Sequence, residues 1–459
     1  MRAPTDYRTG EHHMGEDGIG YQQTDHQQQP GSDEQRRRQQ AATGGAQAFR
    51  VPAGAHGDVV VVSGPRLLAG ATTWPTLAQH RTVWPRTPVV KGQGLLDVLS
   101  HAAIRGRGGA AFPFARKVAT ALESGRRRAV VVNAAEGEPG SAKDSALLTS
   151  APHLVLDGAE AVARALGVRT IHLVVPGERR LVGDAAAAAI SERDGRIDYV
   201  MHETTGGFVG GQARAVVELI EGRPNLPVTA WQPEAISGIK GRPTLLSNAE
   251  TYAQAAAALV LGPAGYAQVG TPQEPGTTLL TVAGDTPRAA VLEVPHGTPL
   301  THALAMAGFG TGPLLVGGYH GAWVTAQEVE RRLVLAADLR DAGASLGAGV
   351  LLPVAEGACP VTVTSAIVTY LAGQSAGRCG PCRFGLPALA RATAMLGRGG
   401  VVRAAARIEQ LAQTVEGRGA CAHPDGTARL VRSLLRTFPG EVAAHAAGFC
   451  EVAGGGVAR

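Results

Sequence analysis

The chain has 459 residues, of which 44% are hydrophobic, 18% are charged and 62 are glycine. This length suggests two to four domains at ~100–200 residues each. The net charge of +5 comes from scattered arginines rather than a basic patch, so nucleic-acid binding is not indicated. Five cysteines are too few for a disulfide framework, and no apolar run approaches the ~18–20 residues of a membrane span. We therefore expect a cytoplasmic protein with reduced thiols and no direct membrane insertion.

The first half of the chain begins with a polar tail and continues with alternating elements. Residues 1–48 are rich in glutamine and are expected to be disordered. Residues 49–268 alternate between helical and strand patterns, which predicts a parallel or mixed sheet in an α/β layer. The predicted strands cover 129–133, 170–175 and 197–200, and the predicted helices cover 95–104, 146–166, 180–190 and 212–221.

The second half changes character twice. Residues 274–345 predict a small β-grasp-like unit, with strands at 278–284, 290–294 and 313–318, a turn at 285–287 and a helix at 298–307. We interpret the glycines around His320 as serving a tight turn. Residues 346–459 are predicted to be mostly helical, with breaks at Pro381 and at glycines 397–400.

A glycine-rich loop, Arg105-Gly106-Arg107-Gly108-Gly109-Ala110-Ala111-Phe112-Pro113, follows the first predicted helix. Glycines allow the backbone to approach a ligand and to direct N–H groups towards it. Arg105, Arg107 and the nearby Lys117 add positive charge, so the loop suits a phosphate. The order differs from a dinucleotide-binding turn, which needs a strand before it and a helix after it. A flexible surface loop is the alternative.

Three further segments hold candidate ligand-binding residues. Asn133–Asp144 follows a predicted strand, and ligands bind at the carboxyl ends of strands in such sheets. Its Asn133, Glu136 and Glu138 offer amide and carboxylate groups, although an acidic turn that caps the next helix is the alternative. Gly206–Gln212 is a glycine turn that opens a helix, and Gly241–Thr251 contains Ser247-Asn248.

The cysteine pattern indicates a metal centre. Cys379-Gly380-Pro381-Cys382 is a C-x2-C motif, and Cys421 follows at a distance, which is the spacing of an iron–sulfur or zinc site. Three thiolates suit a 3Fe–4S cluster, or a 4Fe–4S cluster with a different fourth ligand, for which Cys359, Cys450 and His423 are candidates. Cys379, Cys382, Cys421 and His423 would also form a Cys3His zinc set. Thiols without a metal are the third reading.

The four segments and the cysteine motif, in this order, resemble the flavin- and NADH-binding F subunit of bacterial respiratory complex I. The resemblance covers roughly residues 95–435 and is greatest to the short stand-alone actinobacterial relatives of that subunit. It implies an α/β FMN- and NADH-binding domain at 49–268, a β-grasp (soluble-ligand-binding) domain at 274–345 and a helical iron–sulfur-binding domain at 346–459. The implied activity is that of an NADH dehydrogenase-type oxidoreductase, with FMN, NAD and a cluster as cofactors.

The resemblance also implies roles for individual residues. Phe112 and Glu138 would face the nicotinamide nucleotide, and Cys379, Cys382 and Cys421 would hold iron. Electrons would pass from NADH through FMN to the cluster and on to a ferredoxin-like or 2Fe–2S protein. The residues implied to face FMN are Gly106, Gly108, Lys117, Asn133, Glu136, Phe208, Gly211 and Asn248, and the loop adds Arg107 and Gly109 as cofactor-binding candidates.

The chain departs from the family pattern at several positions. An acidic residue of the family is Ala135 here, two glutamates are Gln212 and Ala213, and the first motif cysteine is Ala376. These differences support an alternative function, in which a non-catalytic FMN-binding or zinc-stapled scaffold has lost NADH oxidation.

Overall fold

The computed structural model describes residues 60–69, 74–125, 127–284, 289–355 and 357–452. The predicted disordered tail at 1–48 and the predicted turn at 285–287 lie outside these ranges. Within them, no helix is both long and apolar enough to cross a bilayer. The prediction of an α/β protein with a helical C-terminal region is confirmed.

A four-stranded parallel sheet forms the first layer of the fold. Alternate residues of its central strand pack on opposite sides, with Val130 and Val132 in one core and Val131 in another. This explains why the strand reads as a continuous apolar run in the sequence. In spatial order the strands are β4 (Asp198–Thr204), β3 (Thr170–Pro176), β2 (Ala129–Asn133) and β5 (Thr244–Asn248).

Helices cover this sheet, and one prediction about them is wrong. The single helix expected at 146–166 is two helices, which meet at Ala151. Pro152 lacks a backbone N–H, so it cannot continue the first helix but suits the first turn of the second. The helices of this half are α1 (Leu77–Val83), α2 (Gly92–His101), α3 (Phe114–Glu123), α4 (Lys143–Ser150), α5 (Pro152–Ala165), α6 (Arg180–Ser191), α7 (Ala213–Ile220) and α8 (Ala249–Tyr266).

A second, six-stranded mixed sheet follows, and it is larger than the sequence predicted. Val350–Pro353 lies within it, between two other strands, so the boundary expected at 345 falls before the last strand of this unit. Val60–Val61 adds a parallel edge strand. In spatial order the strands are β1 (Val60–Val61), β7 (Ala290–Pro295), β6 (Thr277–Val282), β10 (Val350–Pro353), β8 (Leu314–Val316) and β9 (Ala322–Val324).

The remaining helices flank this sheet and form the C-terminal region. Buried Leu371, Leu389, Ile408 and Leu430 belong to one core, which also includes Trp323 of β9. The C-terminal helices therefore pack directly against the six-stranded sheet. The helices are α9 (Leu300–Met306), α10 (Ala326–Arg331), α11 (Ala336–Asp341), α12 (Pro360–Gly373), α13 (Leu386–Arg398), α14 (Ala404–Val415), α15 (His423–Thr437) and α16 (Pro439–Ala447).

Candidate functional site

The glycine-rich loop between α2 and α3 lines a cavity of about 260 Å³. The loop closes on itself because the Gly106 N–H donates to the Phe112 carbonyl at 2.8 Å. Gly109 has a φ of +104°, a conformation that favours glycine. Positive side chains outnumber carboxylates in the lining, so the cavity suits a phosphate-bearing ligand. The charged lining residues are Arg105, Arg107, Lys143, Arg340, Glu250 and Glu274.

Contacts of the loop bring it to the end of β5. The Arg107 backbone N–H donates to the Thr251 hydroxyl at 3.0 Å, and its guanidinium donates to the Thr277 carbonyl at 3.2 Å. A Cβ at Gly108 would lie 3.7 Å from the Asn248 Cβ, an ordinary contact distance. The structure thus brings together the predicted site residues Arg107, Gly108 and Asn248.

A buried polar network centred on Lys143 lies beside this cavity. The Lys143 Nζ is 3.0 Å from Asp144 Oδ1, 3.1 Å from Asn248 Oδ1 and 3.1 Å from Glu250 Oε2. Burial raises the pKa of Asp144 to about 6, despite the opposing charge of Lys143. Lys143 and Glu250 were not predicted as site residues, although both follow strand ends within the segments that the sequence pattern singled out. Their position at the carboxyl edge of the sheet is the signal that could have found them.

The predicted residues Asn133 and Glu136 hold the end of β2. The Asn133 side-chain amide donates to the Gly211 carbonyl at 2.8 Å. Glu136 accepts from the backbone N–H groups of Asp144 and Ser145 at the start of α4 and pairs with Arg179 at 2.8 Å. Burial opposes its ionisation, but the charge of Arg179 holds the pKa of Glu136 below its usual value. Glu136 is therefore an ionised carboxylate that positions the strand end and the helix.

Glu138 crosses from this segment to the second sheet. Its carboxyl group accepts from the Tyr319 backbone N–H at 3.1 Å. Burial raises the pKa of Glu138 to about 8, although hydrogen bonds from the Tyr319 and Gly140 backbone oppose this shift. The Tyr319 hydroxyl is buried and has no hydrogen-bond partner among the described residues. A bound ligand could satisfy that hydroxyl.

A cleft of about 460 Å³ lies where β2, β3 and β4 end. Its walls include Gly206 and Gly207 of the glycine turn on one side, and Tyr370 and Gln374 of the C-terminal region on the other. The lining carboxylates are those of Glu136, Glu178 and Glu203, against the single cation of Arg179. This charge balance suits hydroxyl or amino groups that donate hydrogen bonds, unlike the cationic cavity.

Phe208 of the glycine turn packs among aromatic rings from three parts of the fold. Its ring centroid is 6.4 Å from Tyr319, 4.5 Å from His320, 6.4 Å from Tyr370 and 5.4 Å from His423. The His320 Nε2 lies 3.1 Å from the His423 Nδ1, so His320 does more than serve a turn. These rings join the end of the parallel sheet to the region of the cysteines.

The three predicted metal-ligating cysteines lie within electrostatic range of one another. Burial raises the pKa of Cys382 to about 12, as do a hydrogen bond with Cys379 and the charges of Cys379 and Cys421. Burial also opposes ionisation of Cys379, but backbone N–H groups of Ala420 and Cys382 lower its pKa. Cys382 lies in a π-helical turn, Pro381–Gly385, that leads into α13. Three thiols with N–H donors beside them fit the sulfur ligation of an iron–sulfur cluster.

The structure places the candidate fourth ligands elsewhere. Both ring nitrogens of His423 have partners, the Leu371 carbonyl at 2.8 Å from Nε2 and the His320 ring. His423 therefore does not complete a Cys3His zinc set, and that hypothesis is not supported. Cys359 and Cys450 belong to a separate buried group of side chains. The side chain of Gln212 hydrogen-bonds to Cys421, so one of the residues that replace the glutamates lies at the cysteine site.

Two predicted site residues lie outside the lining of the two cavities. The Lys117 Nζ donates to the Leu246 carbonyl of β5 at 2.7 Å, and burial lowers the pKa of Lys117. Phe112 is 46% exposed, with the Arg116 guanidinium carbon 5.8 Å from its ring centroid. Their assignments to cofactor and nucleotide stay predictions.

Together, the α/β layer with its cationic cavity and the helical region with its thiols define a nucleotide-cofactor module joined to a cysteine-ligated metal module. Two family models match these parts in turn. The Nuo51 FMN-binding domain matches residues 99–257, and the NADH-ubiquinone oxidoreductase-F iron-sulfur binding region matches residues 362–445. The chain belongs to the family of the F subunit of NADH-quinone oxidoreductase, which confirms the resemblance inferred from the motifs.

Individual relatives agree with this assignment. An F subunit of the NADH-quinone oxidoreductase of Rhizobium meliloti, the one numbered 2, is 27% identical over 375 residues, which cover 76% of this chain and 88% of that protein. The corresponding F subunit of Streptomyces coelicolor is 29% identical over 375 residues, covering 77% of this chain and 83% of that protein.

Solved structures of an NAD+-reducing [NiFe]-hydrogenase share the fold. In the air-oxidized state, the match has a TM-score of 0.75 and 26% identity, and covers 84% of this chain and 68% of that chain. In the H2-reduced state, it has a TM-score of 0.70 and 26% identity. That match covers 77% of this chain and 63% of the hydrogenase chain, so the chain spans less than two thirds of that structure.

Proposed function

We propose that this chain is an oxidoreductase subunit that transfers electrons from NADH through FMN to an iron–sulfur centre and on to a protein acceptor. The two family models support the FMN and iron–sulfur parts of this proposal. The NAD+-reducing hydrogenase and the NADH-quinone oxidoreductase relatives support the nicotinamide nucleotide.

One observation carries the proposal most directly. The glycine turn that ends in Gln212 touches both modules within a few residues. The Gly211 carbonyl accepts from Asn133 at the end of β2, while the Gln212 side chain bonds to Cys421. The Phe208 N–H donates to the Gln374 side chain at 3.1 Å, and Gln374 directly precedes the cysteine motif. A cofactor at the strand ends would therefore lie close to a cluster at the cysteines.

The residues that would hold FMN are those at the carboxyl edge of the parallel sheet. Gly106, Arg107 and Gly109 line the cationic cavity, where they suit the phosphate. Asn133 and Asn248 are paired in register at the ends of β2 and β5 and would face the ring system. When bound, FMN would supply the conversion of a two-electron hydride transfer into single-electron steps. The protein positions the reactants and, through the packed rings around Phe208, excludes water between the modules.

The residues that would hold the cluster are Cys379, Cys382 and Cys421. They supply three thiolates, and Ala376 supplies none at the position of the family's first cysteine. The family model describes an iron–sulfur binding region, so we propose a 4Fe–4S cluster with a non-cysteine fourth ligand, or a 3Fe–4S cluster.

Several finer assignments belong to the same proposal. The six-stranded unit would correspond to the β-grasp domain of the family. The acceptor would be a ferredoxin-like or 2Fe–2S protein, because a cluster releases single electrons. The protein would act in the cytoplasm.

A second function is favoured by one specific arrangement. Ala135 is buried at the strand end and offers no carboxylate, and Gln212 bonds to Cys421. If both family carboxylates are needed to seat NADH, the chain would bind FMN without oxidising NADH.

The visible spectrum of anaerobically purified protein, before and after NADH, separates the two functions. Flavin bands with a broad cluster absorption, both bleached by NADH, support the proposed electron path. Flavin bands that dithionite bleaches but NADH does not would establish the second function. In Cys382→Ser, which removes a cluster ligand, NADH should still bleach the flavin while the broad absorption is lost. A protein without flavin or iron after reconstitution with both would overturn the proposal.

A further inference from the structure

Four metal-ligating side chains meet away from the three cluster cysteines. They are Cys359, Glu441, His445 and Cys450, and one ligand atom of each lies within 4.8 Å of the other three. All four residues are buried, with exposed fractions between 1% and 7%. None of them lines either cavity of the proposed redox site.

The distances within this group are those of a small coordination polyhedron. Cys359 Sγ and Cys450 Sγ each lie 3.1 Å from Glu441 Oε1, and His445 Nε2 lies 3.2 Å from the same oxygen. Cys359 Sγ lies 3.3 Å from His445 Nε2. In tetrahedral zinc sites, bonds of about 2.0–2.3 Å place ligand atoms roughly 3.3–3.8 Å apart. The group is therefore within a few tenths of an ångström of zinc geometry before any ion is bound.

The secondary structure aims these ligands at one point. Glu441 and His445 are four residues apart on α16, so they share one face of that helix. Cys450 follows shortly after the helix. Cys359 is the N-cap residue of α12, where the helix dipole stabilises a thiolate. The site would thus join the C-terminal end of the helical region to its first helix.

The imidazole already has the orientation of a ligand. His445 Nδ1 lies 3.2 Å from the Leu396 carbonyl, so Nδ1 carries the proton and donates it there. This leaves the Nε2 lone pair directed at the two thiols and the carboxylate. Metal-bound histidines are commonly held in this way by a backbone carbonyl behind the ring.

We propose that Cys359, Glu441, His445 and Cys450 bind one zinc ion in a structural site that is independent of the iron–sulfur centre. Two thiolates, an imidazole and a carboxylate in a tetrahedral arrangement favour zinc over harder divalent ions. Binding releases the thiol protons to solvent and changes no oxidation state. Four protein ligands complete the coordination, and burial keeps substrate away, so the ion would stabilise the helical region rather than take part in catalysis.

Zinc and iron per chain, measured on the full-length protein without an affinity tag, test this assignment. Wild type grown with zinc should contain close to one zinc per chain. Cys450→Ser should lose most of that zinc and keep its iron. The matched control, Cys421→Ser, removes a cluster ligand and should lose iron while keeping zinc. Cys450→His, which restores a ligand, should retain zinc.

A second measurement does not depend on how well the Cys450 variant folds. In a Cys382→Ser background, which removes cluster absorption, protein produced with cobalt should show thiolate-to-cobalt charge transfer and an intense tetrahedral ligand-field band. Wild type without zinc, zinc lost in Cys421→Ser but kept in Cys450→Ser, or a Cys359–Cys450 disulfide in place of zinc would each overturn the proposal. Because neither readout uses NADH or flavin, failure here is distinguishable from failure of the proposed electron path.

Discussion

Glu138 gives the protein a specific pH dependence that one substitution should remove. Its carboxyl group is enclosed between the end of β2 and the Tyr319 backbone, and burial raises its pKa from 4.5 to about 8. Between these values the unfolded chain is ionised at this position while the folded chain keeps the proton. The folded state therefore binds more protons, and the contribution of Glu138 to stability falls as pH rises.

The size of the effect follows from the shift. One pH unit within this window changes the free energy of unfolding by about 1.4 kcal/mol for one group. Between roughly pH 5 and pH 7, the loss attributable to Glu138 is at most about 3 kcal/mol. Glu138→Gln stays neutral, and its carbonyl can still accept from the Tyr319 N–H. We expect the variant to become progressively more stable than wild type as pH rises.

Urea unfolding of both proteins at a series of pH values measures this difference. Other buried groups also titrate in this range, including Asp144 and several histidines, so only the difference between variant and wild type isolates Glu138. Parallel curves between roughly pH 5 and pH 7, with a constant difference, would refute the reasoning because they would show that Glu138 titrates normally in the folded protein.

Three further substitutions follow from the structure. Arg179→Met removes the buried partner of Glu136 and should lower the free energy of unfolding by about 3–5 kcal/mol in urea titrations; a loss near zero would show that the pair is solvated. Gly158→Ala would place a Cβ 1.9 Å from a carbonyl oxygen of the facing helix and should lower the melting temperature, whereas Gly183→Ala, whose Cβ has 3.8 Å of clearance, should not. Ala376→Cys should raise iron and labile sulfide per chain, and unchanged iron would show that this position does not face the cluster.

The sequence predicted much of the local structure correctly. The strands at 129–133 and 170–175 are where the apolar runs placed them, because β-branched residues buried on both faces leave a continuous signal. The helix predicted at 146–166 was wrong at its centre, where Pro152 restarts the helix. The strand Val350–Pro353 was missed because four apolar residues carry too little periodicity to separate strand from helix.

The candidate site was only partly predictable. The glycine loop, the strand-end segments and the C-x2-C motif were visible because each is a short, local pattern. The roles of Lys143, Gln212 and Gln374 were not, because their partners are far away in the sequence. The Phe208 N–H, for example, bonds to a side chain 166 residues further along.

The sequence by itself therefore determined the elements, the family and the chemical types of the ligands. Only the tertiary structure decided which of these ligands share a site. Cys359 and Cys450 illustrate the difference, since their sequence positions are compatible with the cluster, but packing of α16 against α12 places them with Glu441 and His445. Local patterns reflect backbone preferences over a few residues, whereas the grouping of distant side chains follows from how helices and sheets bury their apolar faces together.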